Sequence, residues 1–168
     1  MIRQNAPAPI HSSVDNGTTG LGFNGTSAVT TGVTGSEIWT ISSPDFNSLL
    51  VRMYGGFAAT TTATATSTIT ATIQTSYDGG TTFYDVAKLG TILGTTTVTL
   101  GNAILAKIGS LKGSASYIGT TAIAGTLAVG NVKDVPLGST MRTILTFAGT
   151  AGSANCTVDF IPVDQDFR

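Results

Sequence analysis

The sequence predicts an all-β protein: an antiparallel β-sandwich or jelly roll with an extended N-terminal arm. Three observations predict it. Apolar and polar residues alternate in twos along several segments, the spacing that lays one face of a strand on a core. The chain is rich in Thr, whose branched Cβ suits a pleated sheet, and poor in the Glu, Lys, Gln and Arg that favour helices. Its 21 glycines fall between the alternating segments and punctuate them as turns. Strand and helix patterns do not alternate, which argues against a parallel sheet, and no fixed-period repeat points to a solenoid.

The elements follow in chain order. Residues 1–35 read as the arm. Pro7 and Pro9 hold the backbone extended, and residues 16–26 are almost all Gly, Thr and Asn. Large apolar anchors are sparse: Ile10, Val14, Leu21, Phe23 and Val29. A segment of this kind forms no core of its own. It is a tail, or an arm that orders on a neighbouring subunit. Leu21, Phe23 and Val29 are the candidate contact residues of such an arm.

Residues 36–168 read as the body. Residues 37–41 are a short strand ended by Ser42, Ser43, Pro44 and Asp45. Residues 49–54 are apolar on both faces except at Arg52, so they predict a central strand that breaks at Gly55 and Gly56. Residues 60–67 are low-complexity Thr/Ala, a long loop or a sheet edge. Residues 68–77 alternate most cleanly: Ile69, Ala71, Ile73 and Tyr77 face one way, Thr68, Thr70, Thr72 and Gln74 the other. Asp78, Gly79 and Gly80 then signal a turn, and residues 83–89 return as the hairpin partner. Residues 95–100 predict another short strand. Residues 102–111 space Ile104, Ile108 and Leu111 as a helix would, with Asn102 in a capping position, yet Gly101 and Gly109 flank them, so a helical turn and a strand both stay open. Ile123, Leu127 and Val129 share a face of a strand from Thr120, and residues 132–137 fit a further short one. Met141, Leu145 and Phe147 share a face of the next. Cys156, Val158 and Phe160 share a face of the last, with Thr157 and Asp159 opposite.

Charge bounds the partners. Charged residues are 10% of the chain and the net charge is −1, against about 25% charged residues in ordinary domains. Either much of the surface is hidden against partners, or hydroxyls and amides solvate it. The eight Lys and Arg are dispersed singly, which excludes a basic groove for nucleic acid. No run approaches the ~20 apolar residues of a membrane span. The opening residues lack the apolar stretch of a signal peptide, so a soluble chain without a secretion signal is expected.

Chemistry is sparse as well. A Ser or Cys nucleophile needs a base, and the one histidine, His11, falls in the arm as an exposed polar residue. Cys156 lies on an apolar strand face and reads as a small buried hydrophobe. One His and one Cys cannot make a zinc site. Asp159, Asp164 and Asp166, and likewise Asp78 and Asp85, lack the spacing of a calcium loop and read as a solvated edge and turn residues. The paired glycines read as turns rather than phosphate loops. Tyr54, Tyr77 and Tyr84 have the chemistry to stack on a sugar, although aromatic strand residues are more often core. No enzyme activity, catalytic residue, cofactor or metal is expected.

Residues 73–86 (IQTSYDGGTTFYDV) resemble a hairpin that recurs in small tailed-phage structural proteins: a strand, an aromatic before Asp-Gly-Gly, then Thr, an aromatic and Asp-Val. Residues 142–147, a Gly/Ala turn and residues 156–160 look like the closing strands of the same kind of domain. The resemblance implies a virion structural protein of the capsid decoration or cement type. It implies a homo-oligomer, a trimer or similar cluster, that contacts the major capsid protein and copies of itself in a particle assembled in the host cytoplasm. The Gly/Thr-rich arm would reach across to neighbours, and no membrane or small-molecule substrate would be involved. Asp-Gly-Gly hairpins also occur in tail proteins, adhesins and carbohydrate-binding sandwiches. The alternative expectation is therefore a carbohydrate- or receptor-binding β-sandwich module of a tail or surface structure.

Overall fold

Regular structure in the computed structural model of the chain is almost entirely strand; the model describes residues 8–15, 34–41, 48–57, 66–109, 127–133, 135–149 and 154–163. The described strands are β1 (His11–Asp15), β2 (Thr34–Thr40), β3 (Ser48–Phe57), β4 (Thr68–Ser76), β5 (Tyr84–Lys88), β6 (Ile92–Leu93), β7 (Ile104–Gly109), β8 (Asn131–Val132), β9 (Thr140–Ala148) and β10 (Ala154–Pro162). They form two antiparallel sheets packed as a β-sandwich. One sheet runs β1-β10-β3-β7. The other runs β2-β9-β4-β5-β8, with β6 also on β4.

The pairings are nested. β1 pairs with β10, β2 with β9, β3 with β7 and β4 with β5, and successive pairs fall in alternate sheets. The β10–β3 and β9–β4 ladders join these pairs within the two sheets.

The core lies where the period-two pattern puts it. Ile69, Ala71 and Ile73 of β4, Met141, Leu145 and Phe147 of β9, and Val158 and Phe160 of β10 are all fully buried. Burial of each large side chain contributes roughly 1.5–3 kcal/mol. Thr68, Thr70 and Thr72 alternate outward and are half-exposed. Gln74 breaks the alternation: it is on the outer face yet buried, because a polar network closes over it. Tyr77 lies past the end of β4 and is exposed.

Several expectations need correction. The strand does not break at Gly55 and Gly56; β3 continues to Phe57. Gly55 takes a φ of +131° and is paired on both sides, with Cys156 of β10 and with Val98. Residues 95–100 are not a strand. The short β6 precedes them, Val98 alone bridges to Gly55, and a 3-10 turn at Leu100–Asn102 leads into β7. Of the two alternatives left open for residues 102–111, the strand holds at 104–109; Asn102 ends the 3-10 turn before it, where its Oδ1 accepts the Thr99 N–H at 2.7 Å and hydroxyl at 2.8 Å. Leu127 to Val129 are not strand and Val129 is exposed, while Ile123 lies outside the described residues. Of the described residues within 132–137, only Val132 is in a strand.

His11 also departs from the expected exposed tail position. It begins β1, which pairs with β10 from His11↔Phe160 to Asp15↔Cys156. Within the segment read as an arm, residues 11–15 of β1 and Thr34 and Gly35 of β2 therefore belong to the sheets of the body. Leu21, Phe23 and Val29 lie outside the described residues, as do Asp164, Asp166 and residues 60–65.

Candidate functional site

Polar side chains gather in three places, each explained by strand register. The first closes the rim formed by β1 and β2. His11 and Ser13, two apart on β1, face Glu37 and Trp39, two apart on β2. The His11 ring lies flat on the Trp39 indole, with centroids 4.3 Å apart and planes 13° apart. Trp39 packs in turn on Phe160 at 4.5 Å. The indole N–H donates to Thr143 Oγ1 at 3.2 Å, and the Ser13 hydroxyl donates to the same oxygen at 3.0 Å. His11 Nε2 is 3.2 Å from Ser13 Oγ and 3.4 Å from Glu37 Oε2. This is not a nucleophilic triad. A triad holds the serine on one ring nitrogen and the carboxylate on the other, whereas Nε2 here faces both, and Ser13 is fully buried. The cluster is a clasp between the two sheets.

The second gathering crosses the outer face of the four-stranded sheet. Ser12, Asp159 and Arg52 are register partners on β1, β10 and β3. Asp159 Oδ2 accepts Arg52 Nε at 3.1 Å and Nη2 at 2.6 Å, and its Oδ1 accepts the Ser12 hydroxyl at 2.7 Å. Asp159 was expected on a solvated edge, but it is only 3% exposed. A buried carboxylate persists when its charge is paired and its oxygens are bonded, and both conditions are met.

The third crosses the outer face of the other sheet. Arg142 Nε donates to Gln74 Oε1 at 2.6 Å, and Gln74 Nε2 donates to Asp85 Oδ1 at 2.7 Å. The Leu127 N–H reaches Asp85 Oδ2 at 3.3 Å. The Arg142 guanidinium lies 4.0 Å over the Phe83 ring. Burial lowers the Arg142 pKa from its ordinary value, and the nearby Asp85 charge opposes that shift. Asp85, expected as a turn residue, is a buried member of this row.

The β4–β5 turn is built on Asp78. Its Oδ1 accepts the Ser76 hydroxyl at 2.7 Å, the Thr82 N–H at 2.8 Å and the Thr81 N–H at 3.1 Å. Gly79 and Gly80 supply the positive φ that the turn requires. The Thr82 amide above all, and then the Ser76 hydroxyl, lower the Asp78 pKa to about 2. The folded pKa lies below the 3.8 that is ordinary for an aspartate. The turn is therefore held above that value and loosens as pH falls through the folded pKa. The Thr81 and Thr82 amide proton shifts are expected to titrate together with a midpoint near 2. A midpoint at the ordinary Asp value would show that these bonds do not hold the carboxylate.

Tyr77 and Tyr84 meet beside this turn with ring centroids 5.7 Å apart. Tyr77 is 53% exposed and its hydroxyl donates to Pro136 O at 2.5 Å. Tyr54 stands apart on β3, half-buried against the core and 5.8 Å from the Arg52 guanidinium. An open hollow of about 190 Å³ is lined by Gly55, Gly56, Phe57, Thr97 and Asn155, with no titratable side chain. Cys156 is buried on the core face. Among the described residues no three His, Cys, Asp or Glu side chains converge as a metal would require, and no helix is long and apolar enough to cross a membrane.

Sequence reasoning missed all three polar gatherings. A signal existed for one of them: Arg52 and Asp159 are each a lone charge within an apolar strand, and such charges need partners. No protein-family model matches the chain, and no curated protein matches it either.

Proposed function

We propose that this chain is a structural subunit of a virus or phage particle, a capsid decoration or cement protein. It stabilises the shell through contacts with the major capsid protein and with copies of itself. The observation that carries this reading is the nested order of the strand pairs, β1:β10, β2:β9, β3:β7 and β4:β5, alternating between sheets. We read that order as a jelly roll, the double-sheet architecture of many viral capsid domains. Fold alone assigns no function, so the disposition of side chains is the second support. Among the described residues the buried carboxylates, Asp85 and Asp159, are bonded within rows that tie strands together. The mechanism is buried area without a cofactor or chemical step. Leu21, Phe23 and Val29 of the N-terminal arm add contacts to neighbours.

The test is occupancy. The chain is expected in purified particles at fixed stoichiometry, and adding it to particles stripped of it is expected to raise their disruption temperature. Exchange of Leu21, Phe23 and Val29 for Ser is expected to lower occupancy without changing the melting temperature of the free protein. Absence from particles, or no effect on their stability, would end the reading.

A second reading is a carbohydrate- or receptor-binding module of a tail or surface structure. Jelly rolls also serve as lectins, and the exposed Tyr77 beside Tyr84 favours this alternative. Defined glycan binding on an array, lost in Tyr77→Ala, would establish it in place of the first.

A further inference from the structure

β1 is held to the sandwich without sharing its apolar core. None of its described side chains belongs to that core, and Ser13 is the buried one among them. Its hold is the ladder to β10 together with the bonds of Ser12 to Asp159 and Ser13 to Thr143, and the His11 stack on Trp39 beside Glu37. The surface that receives β1 is built without it. β10 pairs with β3 from Ala154↔Phe57 to Pro162↔Leu49, Trp39 packs on Phe160, and Arg52 holds Asp159.

These contacts specify a strand sequence, and they are the same whichever copy of the chain supplies it. A neighbour's His11, Ser12 and Ser13 meet Trp39, Asp159 and Thr143 in the geometry that one chain's own residues take, so exchange forfeits no bond. Residues 16–33 join β1 to β2. A stretch of that length spans at most about 60 Å, twice the diameter of a small domain, which is enough to reach an adjacent copy. Leu21, Phe23 and Val29 fall within that stretch, so exchange carries them across the junction between copies.

We infer that copies of this chain exchange β1, the strand of one pairing with β10 of the next in the register His11↔Phe160 to Asp15↔Cys156. The occupant is a second copy, because β1 is the strand whose side chains this surface already holds. In dilute solution the chain's own β1 fills the place, since a tether keeps it at high effective concentration. Copies held side by side in a shell remove that advantage, and swapping an identical element then links them at low cost. This deepens the shell-subunit reading, giving its self-contacts a strand and a register, and rests on it for its purpose.

The native cysteine provides the probe, because Asp15 and Cys156 are register partners. Cα atoms of such partners lie about 4.5–5.5 Å apart, within the span of a disulfide. A full-length donor chain with Asp15→Cys and Cys156→Ser is mixed with the unmodified chain under mild oxidation. The mixture is held at about millimolar concentration, where a strand from another chain rivals a tethered one. Neither chain alone can form a 15–156 bond. A 15–156 disulfide joining the two, identified by the mass of the linked peptides, is expected. The chain with Asp15→Cys alone is the control, expected to close the same bond within itself when dilute. A mixture without the joint product, beside a control that closes, overturns the exchange. A control that forms no bond lacks the β1–β10 ladder and overturns it as well. On stripped particles, the control locked by its own bond is expected to bind at least about tenfold more weakly than when reduced. Equal binding of the two overturns the exchange while leaving the shell reading in place. Exchange in solution by a chain absent from particles sinks the shell reading alone.

Discussion

Gly55→Ala is expected to destabilise the fold by at least about 3 kcal/mol, a large share of the total for a domain of this size. A Cβ on Gly55 would lie 2.1 Å from the backbone oxygen of Asn155, and the φ of +131° disfavours any L side chain. The position cannot relax easily, because it is held from both sides. β10 pairs with it at Cys156, while its N–H and C=O bond Val98 at 2.7 and 2.8 Å. Gly79 is the control. Its φ is +71°, but nothing lies within 4 Å of the added methyl. Gly79→Ala is expected to cost only about 1–2 kcal/mol. Urea unfolding followed by circular dichroism checks both. Equal midpoints for the two variants would show that the close approach of β3 and β10 carries no weight.

Trp39→Ala is the second large effect, expected at about 3–5 kcal/mol. The indole fills the gap between the sheets at the β1/β2 rim, touching His11 on one side and Phe160 on another. Its loss also takes one of two donors from Thr143 and the platform from His11. β1 is then held chiefly by its ladder to β10, so its amide protons are expected to exchange faster than those of β9. Trp39→Phe retains a ring and loses the N–H, and is expected to cost about 1–2 kcal/mol. A Trp39→Ala protein that melts with the unmodified chain would show that the rim is closed by something else.

The strands that sequence reasoning placed well are those with one buried face and a local turn. β4 alternates because Ile69, Ala71 and Ile73 meet the core, and Asp78 with two glycines closes its hairpin. β9 and β10 likewise each keep one face buried, at Met141, Leu145 and Phe147 and at Cys156, Val158 and Phe160. Misplaced residues depend on partners distant in the chain. Asp159 looks solvated until Arg52, 107 residues away, and Ser12, 147 away, lie beside it. His11 looks like part of a tail until Trp39 lies beneath it. Gly55 looks like a break because glycine marks turns, whereas here it marks a close approach between strands. Period two tells which face a residue is on, and register tells what it meets there; only the first is local.

Pairing the first described strand with the last has a kinetic consequence. The β1 ladder needs β10, so that sheet cannot be completed before residues 156–160 have emerged from the ribosome. The β4–β5 hairpin, closed by a short turn, has the smallest loop-closure entropy and is the natural starting point. Zippering from that hairpin outward brings ever more distant segments together, a high contact order that places folding in the range of milliseconds to seconds. Until the last ladder forms, the β10 edge that β1 will cover stays open to intruding strands, so the fraction lost to aggregation should rise with the rate of synthesis.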